Sequence, residues 1–184
     1  MTGYQKLALI ASHIAVYFGL AMLSDVWRFG DVSVASVVLM GLLVWISVWD
    51  FRSFTIPDVA NLALVISGLV ATWWLHPVDL RFHLLSLVIW LVLFWAVGAA
   101  FRKLRGYDGL GLGDAKLMAG AGAWLGMFAP VSVVLMGALS AIAFILVMGV
   151  IGRKSIRETQ HSAIAFGPFL SVSIWSVWLF GPFV

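Results

Sequence analysis

The sequence predicts an all-α polytopic membrane protein, with about seven transmembrane helices and a cytoplasmic N-terminus. Composition is the first reason: 63% of the residues are hydrophobic and 10% charged, with a mean hydropathy of +1.08. Soluble domains run near half apolar and about a quarter charged, and a 184-residue soluble domain could not hide this much apolar surface. Pattern is the second reason. Seven apolar runs qualify, or nearly do, for the ~20 residues that cross a bilayer, and short polar breaks separate them. The third is charge. The basic residues gather in alternate short connections, which is a topology signal rather than a nucleic-acid patch.

The first run, Leu7–Leu23, is long for the core of a signal peptide, and no small-x-small cleavage site follows it cleanly before Asp25. It is expected to be a retained helix. The second, Val32–Val48, ends on Asp50. The third, Val59–Leu75, is opened by Pro57 and Asp58. Proline suits the first turn of a helix, and an acid there is favoured by the helix dipole. The fourth, Leu84–Phe101, runs into Arg102, Lys103 and Arg105. The fifth, Asp114–Ala129, is short and rich in small residues. Its Gly122 and Gly126 form a GxxxG pair that lets helices approach closely in lipid. The sixth, Val131–Ile151, is set off by Pro130, and the seventh is Ile164–Val184.

With the N-terminus in the cytoplasm, Lys6, Arg52, Arg102, Lys103, Arg105, Lys116, Arg153, Lys154 and Arg157 lie inside. Only Arg28 and Arg81 lie outside, nine against two for the eleven basic residues. Fusing segments five and six across Pro130 would move Arg153, Lys154 and Arg157 outside and leave six against five, so two helices are expected. No internal repeat or low-complexity tail is evident. The chain reads as one membrane domain over 1–184, with an extra N-terminal helix and outer loop in 1–31 and the core in 32–184.

Several chemistries are poorly served. The absence of cysteine removes disulfides, thiolate-bound metals and thiol nucleophiles. There is no HExxH, the zinc-protease helix motif, and Val65-Ile66-Ser67-Gly68 misses the GxSG of a rhomboid-like serine protease. His13, His76, His83 and His161 have no metal spacing and read as packing or interfacial residues. Most of the ten tryptophans flank segments as interface anchors do. No metal, cofactor or nucleic acid is expected; membrane lipid is.

Acids in or beside membrane segments are costly and are functional candidates. Of the eight acids, Asp25, Asp31 and Asp79 fall in outer connections, and Asp108 and Glu158 in inner ones. Asp50, Asp58 and Asp114 remain. Asp50 ends the second segment on the cytoplasmic side; two crossings later Asp114 opens the fifth, at the same face. The two can meet if helices two and five are neighbours. A pair of carboxyl groups that share one proton splits its titration, so that one acts as general base toward water and the other as general acid. Which acid takes which part stays open, because coupled sites titrate as a pair. Gly111 and Gly113 allow close backbone approach around Asp114. The bland alternatives are a glycine-rich turn with Asp114 as N-cap, and helix-start stabilisation for Asp58.

Taken together, Asp50…Ile56-Pro57-Asp58 and Gly111-Leu112-Gly113-Asp114-Ala115-Lys116-Leu117 resemble the two blocks of the type IV prepilin peptidases. These are the GxGD intramembrane aspartic leader peptidases of bacterial pili and type II secretion. Gly122-Ala123-Trp124-Leu125-Gly126 is also similar to that family. Ala165-Phe166-Gly167-Pro168-Phe169 looks like its Pro-Phe-Gly-Pro element, with Ala165 where proline is usual. The likeness runs from about Val48 to the C-terminus, and the combined blocks are specific.

The resemblance implies cleavage of the basic leader from prepilins or pseudopilins at the cytoplasmic face of the bacterial inner membrane. The cut would follow a glycine that precedes the substrate's hydrophobic helix. It implies Asp50 and Asp114 as the catalytic pair, with Lys116, Asp58, Pro57, Gly111, Gly113, Gly167 and Pro168 as motif or supporting positions. Longer members carry a cytoplasmic insert with paired CxxC motifs and methylate the new N-terminus. This chain resembles the short, peptidase-only members, for which methyl transfer is not expected. Self-association is left open.

Presenilin and signal peptide peptidase also carry GxGD, with a Tyr-Asp on the preceding helix and a Pro-Ala-Leu element. Here Tyr107-Asp108 lies only six residues before Asp114, too close to come from another helix, and Pro-Ala-Leu is absent. Another GxGD protease, a transporter and an inactive homologue are the remaining alternatives.

Overall fold

The structure, a computed structural model, describes residues 3–25, 30–106, 110–152 and 165–183. Arg28, Tyr107-Asp108 and the connection with Arg153, Lys154, Arg157, Glu158 and His161 lie outside the described residues. Each expected segment forms one helix: α1 Gly3–Leu23, α2 Gly30–Ser53, α3 Asp58–Leu75, α4 Leu80–Arg105, α5 Leu112–Leu125, α6 Ala129–Gly152 and α7 Gly167–Phe180. A single 3₁₀ turn, Pro77–Asp79, joins α3 to α4. There is no strand among the described residues. The molecule is an all-α polytopic membrane protein.

Among the described residues, four helical stretches are long and apolar enough to cross a bilayer: Val32–Ser53, Asp58–Leu75, Pro77–Arg105 and Ala129–Val147. Ile10–Leu23 and Gly167–Phe180 are shorter apolar helices. α5 has 14 residues, or ~21 Å at 1.5 Å per residue, against a hydrocarbon core of ~30 Å.

α5 is the centre of the bundle. Ala115 and the whole run Leu117–Trp124 are buried, as a helix apolar on every side must be. It packs chiefly on α4 and α3, and also on α7 and α6. Its small residues make these contacts possible. A Cβ on Gly122 would stand 2.8 Å from Ser86 Oγ and 2.9 Å from the Leu87 backbone nitrogen of α4. Gly120 lies against the Leu64 side chain of α3. Reciprocally, a Cβ on Gly68 of α3 would meet the Trp124 ring at 2.6 Å.

The fifth helix ends earlier than the sequence suggests. The break falls at Gly126, in a positive-φ conformation (φ 76°), which glycine adopts at little cost. Pro130 instead sits in the first turn of α6. The GxxxG pair is therefore divided: Gly122 packs between helices, and Gly126 turns the chain.

Carbonyls freed at a helix end need partners where water is excluded. Side chains of α3 and α4 supply them. His83 Nδ1 lies 2.9 Å from Ala123 O, to which Thr72 Oγ1 also donates at 3.3 Å. Ser86 Oγ donates to Gly126 O at 2.7 Å, and Trp90 Nε1 to Met127 O at 3.3 Å.

Eight of the described tryptophans fall into two groups. Trp45, Trp49, Trp73, Trp74 and Trp95 are exposed on the bundle surface. Trp124, Trp175 and Trp178 instead tie helices together inside it. Their indoles donate to Leu64 O at 2.9 Å, Tyr17 O at 3.0 Å and Ser36 Oγ at 2.8 Å. The last two bonds fasten α7 to α1 and α2.

Candidate active site

Asp50 lies in the last turn of α2, which runs on to Ser53. The chain leaves the helix at Phe54, whose amide donates to Asp50 O at 2.9 Å. Phe54 adopts φ 53°, alone among the described non-glycine residues, a conformation uncommon for an aromatic side chain. The following turn brings Ile56 inward and ends at Pro57, the N-cap of α3 rather than its first residue. Asp58 stands in the first turn, as expected.

α5 opens on Gly111, the N-cap, in extended conformation (φ −72°, ψ 145°). Asp114 is therefore the third helical residue and not the N-cap. Its backbone amide donates to Gly111 O at 3.1 Å. Its carboxyl turns back on the Gly111 backbone, the reach that an acid in this position makes to an N-cap. Gly113 faces Ile56, 3.2 Å from where a Cβ would stand.

The two acids line one cavity of about 600 Å³, with Phe54, Thr55, Ile56, Lys116 and Phe166 among the other lining residues. Asp114 lies close enough to Asp50 to feel its charge. Helices α2 and α5 are not a packed pair, contrary to the simplest expectation. Both pack on α3 and on α7, and these two elements bring the ends of α2 and α5 together. Asp50 is 5% exposed, whereas Asp114 is half-buried.

The start of α7 supplies a feature that the sequence does not announce. Helices leave their first amides unpaired. Here Pro168, in the first turn, has no amide to offer, and the Phe169 amide bonds back to Phe166 O at 3.1 Å. The Gly167 N–H remains, and it donates to Asp50 Oδ2 at 3.1 Å. A carboxylate at a helix N-terminus is also favoured by the dipole. Only glycine fits, because a Cβ there would lie 2.7 Å from Asp50 Oδ2 and 3.1 Å from Ile56 Cδ1.

Lys116 forms an ion pair with Asp58, joining α5 to α3 across the cavity rim. The side chains are 44% and 77% exposed, and such pairs contribute about 0–1 kcal/mol. Every residue singled out from the sequence thus lies in or beside one site. Asp50, Asp58, Gly111, Gly113, Asp114 and Lys116 line the cavity. Gly167 touches Asp50, while Pro57 and Pro168 shape the starts of α3 and α7. No cluster of three metal-ligating side chains occurs among the described residues.

Residues 37–150 match the family model described as the type IV leader peptidase family. The chain is 32% identical over 160 residues to a prepilin leader peptidase/N-methyltransferase of Xanthomonas campestris pv. campestris, covering 86% of this chain and 54% of that protein. It is 34% identical over 149 residues to a protein of the same name from Burkholderia pseudomallei, covering 81% of this chain and 47% of the other. A third of that name, from Pseudomonas aeruginosa, is 30% identical over 175 residues, covering 95% and 56%. The chain spans about half the length of the relatives it matches. No solved structure matches it. With the family model covering well over half of its residues, the chain belongs to the type IV leader peptidase family.

Proposed function

We propose that this protein is a membrane aspartic endopeptidase that removes the basic leader from type IV prepilins or type II secretion pseudopilins. The observation that carries the reading is the meeting of Asp50 and Asp114 in one cavity, in a chain of the leader peptidase family. One carboxylate takes a proton from water, which attacks the scissile carbonyl. The other donates to the carbonyl oxygen and then to the leaving amine. No covalent intermediate forms. The Gly167 amide orients one Asp50 oxygen, leaving the other for water or substrate. Gly111, Gly113, Pro57, Pro168 and the Asp58–Lys116 pair hold the two acid-bearing turns in place.

The helices act as one domain in the bacterial inner membrane, with the N-terminus and the site on the cytoplasmic side. The excess of Lys and Arg in the connections on that side supports this orientation. The substrate's basic leader stays in the cytoplasm while its apolar helix lies in lipid beside the enzyme. The relatives are also named for N-methyl transfer. Membranes that contain the protein and a co-expressed prepilin test it, with mass spectrometry of the new N-terminus. A cut after the leader glycine is expected. Uncut substrate across several prepilins, despite well-inserted protein, would overturn the reading.

A further inference from the structure

We infer that Tyr17, on α1, is a positioning residue for Asp50. It holds the α2 turn behind that aspartate in register with α7, the helix whose first amide binds the same carboxylate. The inference rests on the peptidase reading above. Residue 17 lies outside the region matched by the family model, and its side chain does not line the site cavity.

Tyr17 is fully buried. Its hydroxyl lies 3.1 Å from Ser47 Oγ, and Ser47 is equally buried. Ser47 precedes Asp50 by three residues on α2, so the two share a helix face. The same Tyr17 hydroxyl also lies near the Ser171 side chain of α7. Ser171 is fully buried and its Oγ completes no hydrogen bond. Ser171 stands one turn beyond Gly167, whose amide donates to Asp50 Oδ2. The Tyr17 backbone carbonyl accepts from Trp175 Nε1 of α7 at 3.0 Å. One turn earlier on α1, His13 packs edge-on against the Tyr17 ring (5.3 Å) and against Phe51 (5.0 Å), the neighbour of Asp50.

One residue of α1 therefore touches both elements that place Asp50, each within a turn or two of the Asp50–Gly167 bond. Apolar side chains alone would supply packing, but they tolerate sliding and rotation. A buried hydroxyl is costly unless bonded, so the Tyr17–Ser47 pair disfavours any rotation of α2 that would separate it. That same rotation would swing Asp50 away from Gly167 and from Asp114.

The test uses the full chain in membranes, with Tyr17→Phe, Ser47→Ala and the double variant. Three quantities are read: kcat and KM for leader cleavage, and the rate at which a lipophilic carbodiimide labels Asp50, followed by mass spectrometry. Tyr17→Phe removes only the oxygen. The expected result is a kcat about fivefold lower, the usual worth of one hydrogen bond, with KM unchanged. The double variant should be no worse than either single change, and Asp50 should label faster in all three. Wild-type kcat and labelling in Tyr17→Phe would overturn the inference, as would multiplicative losses in the double variant. Should Tyr17→Phe fail to insert, Ser47→Ala alone must show the same drop in kcat. Absence of cleavage by the wild type would refute the peptidase reading instead. Labelling of Asp50 would then still decide the positioning role, and an unchanged rate in Tyr17→Phe would sink it.

Discussion

Replacing Gly167 with alanine should cripple the proposed cleavage without unfolding the protein. The added Cβ would lie 2.7 Å from Asp50 Oδ2 and 3.2 Å from its Cγ, with Ile56 Cδ1 at 3.1 Å. Ordinary contact begins at 3.4 Å, so the carboxylate must retreat by about 0.7 Å (3.4 − 2.7). Ile56 can give way at the tip of a flexible side chain. Asp50 cannot move without stretching or losing the bond from the Gly167 amide. A hydrogen bond to a charged group contributes about 1.5–3 kcal/mol, and ~1.4 kcal/mol is tenfold in rate. Misplacing a reacting group by ~1 Å costs on the order of 100-fold. Both routes lead to a loss on the order of 10- to 100-fold in kcat. Overpacking of this kind costs about 1–3 kcal/mol of stability, which lowers Tm by a few degrees. The assay is the initial rate of leader removal from a purified prepilin in vesicles, beside the thermal midpoint. Gly41→Ala is the control, since a Cβ on Gly41 meets nothing within 4 Å. Gly167→Ala protein that cleaves at the wild-type rate would refute the claim that this amide holds Asp50.

Three further outcomes are expected. Asp58→Asn should be mild, with well under a tenfold loss of cleavage, because the exposed pair with Lys116 contributes at most about 1 kcal/mol; total inactivation would mean that Asp58 takes part directly. Gly122→Ala should destabilise the bundle by about 1–3 kcal/mol, because its Cβ meets the Leu87 backbone at 2.9 Å. Gly120→Ala should cost less, since the Leu64 side chain can move aside; equal thermal shifts in the two variants would contradict that distinction. His83→Ala should destabilise by about 1–3 kcal/mol by withdrawing a partner from the Ala123 carbonyl at the buried end of α5, and an unchanged thermal midpoint would count against a capping role.

Much of the architecture was legible in the sequence because lipid imposes length and polarity on each segment. Among the described residues each expected apolar run holds one helix, and the two acids that the crossing count allows to meet line one cavity. Boundaries were less legible. Pro130 is the loudest local signal for the break after α5, but the break lies at Gly126, where only the backbone angle reveals the turn. Neighbour relations were not legible either. Periodicity cannot say that α3 and α7 flank both acid-bearing helices, nor that Lys116 reaches Asp58. Gly167 and Pro168 stood out by resemblance, yet their shared consequence is a matter of three dimensions: one donor removed by proline and one amide left for Asp50. Of the histidines, His83 shows why a single polar side chain on an apolar helix is ambiguous, because it serves one carbonyl of a helix forty residues away.

The central claim is that Asp50 and Asp114 work as one unit. It is tested most directly by the cleavage rates of Asp50→Asn, Asp114→Asn and the double variant, measured on equal amounts of inserted protein. Residues that act as a unit are grossly non-additive. Each single change is therefore expected to abolish leader removal as completely as the two together, with insertion intact. Substantial cleavage by either single variant, or losses that multiply in the double variant, would contradict the account.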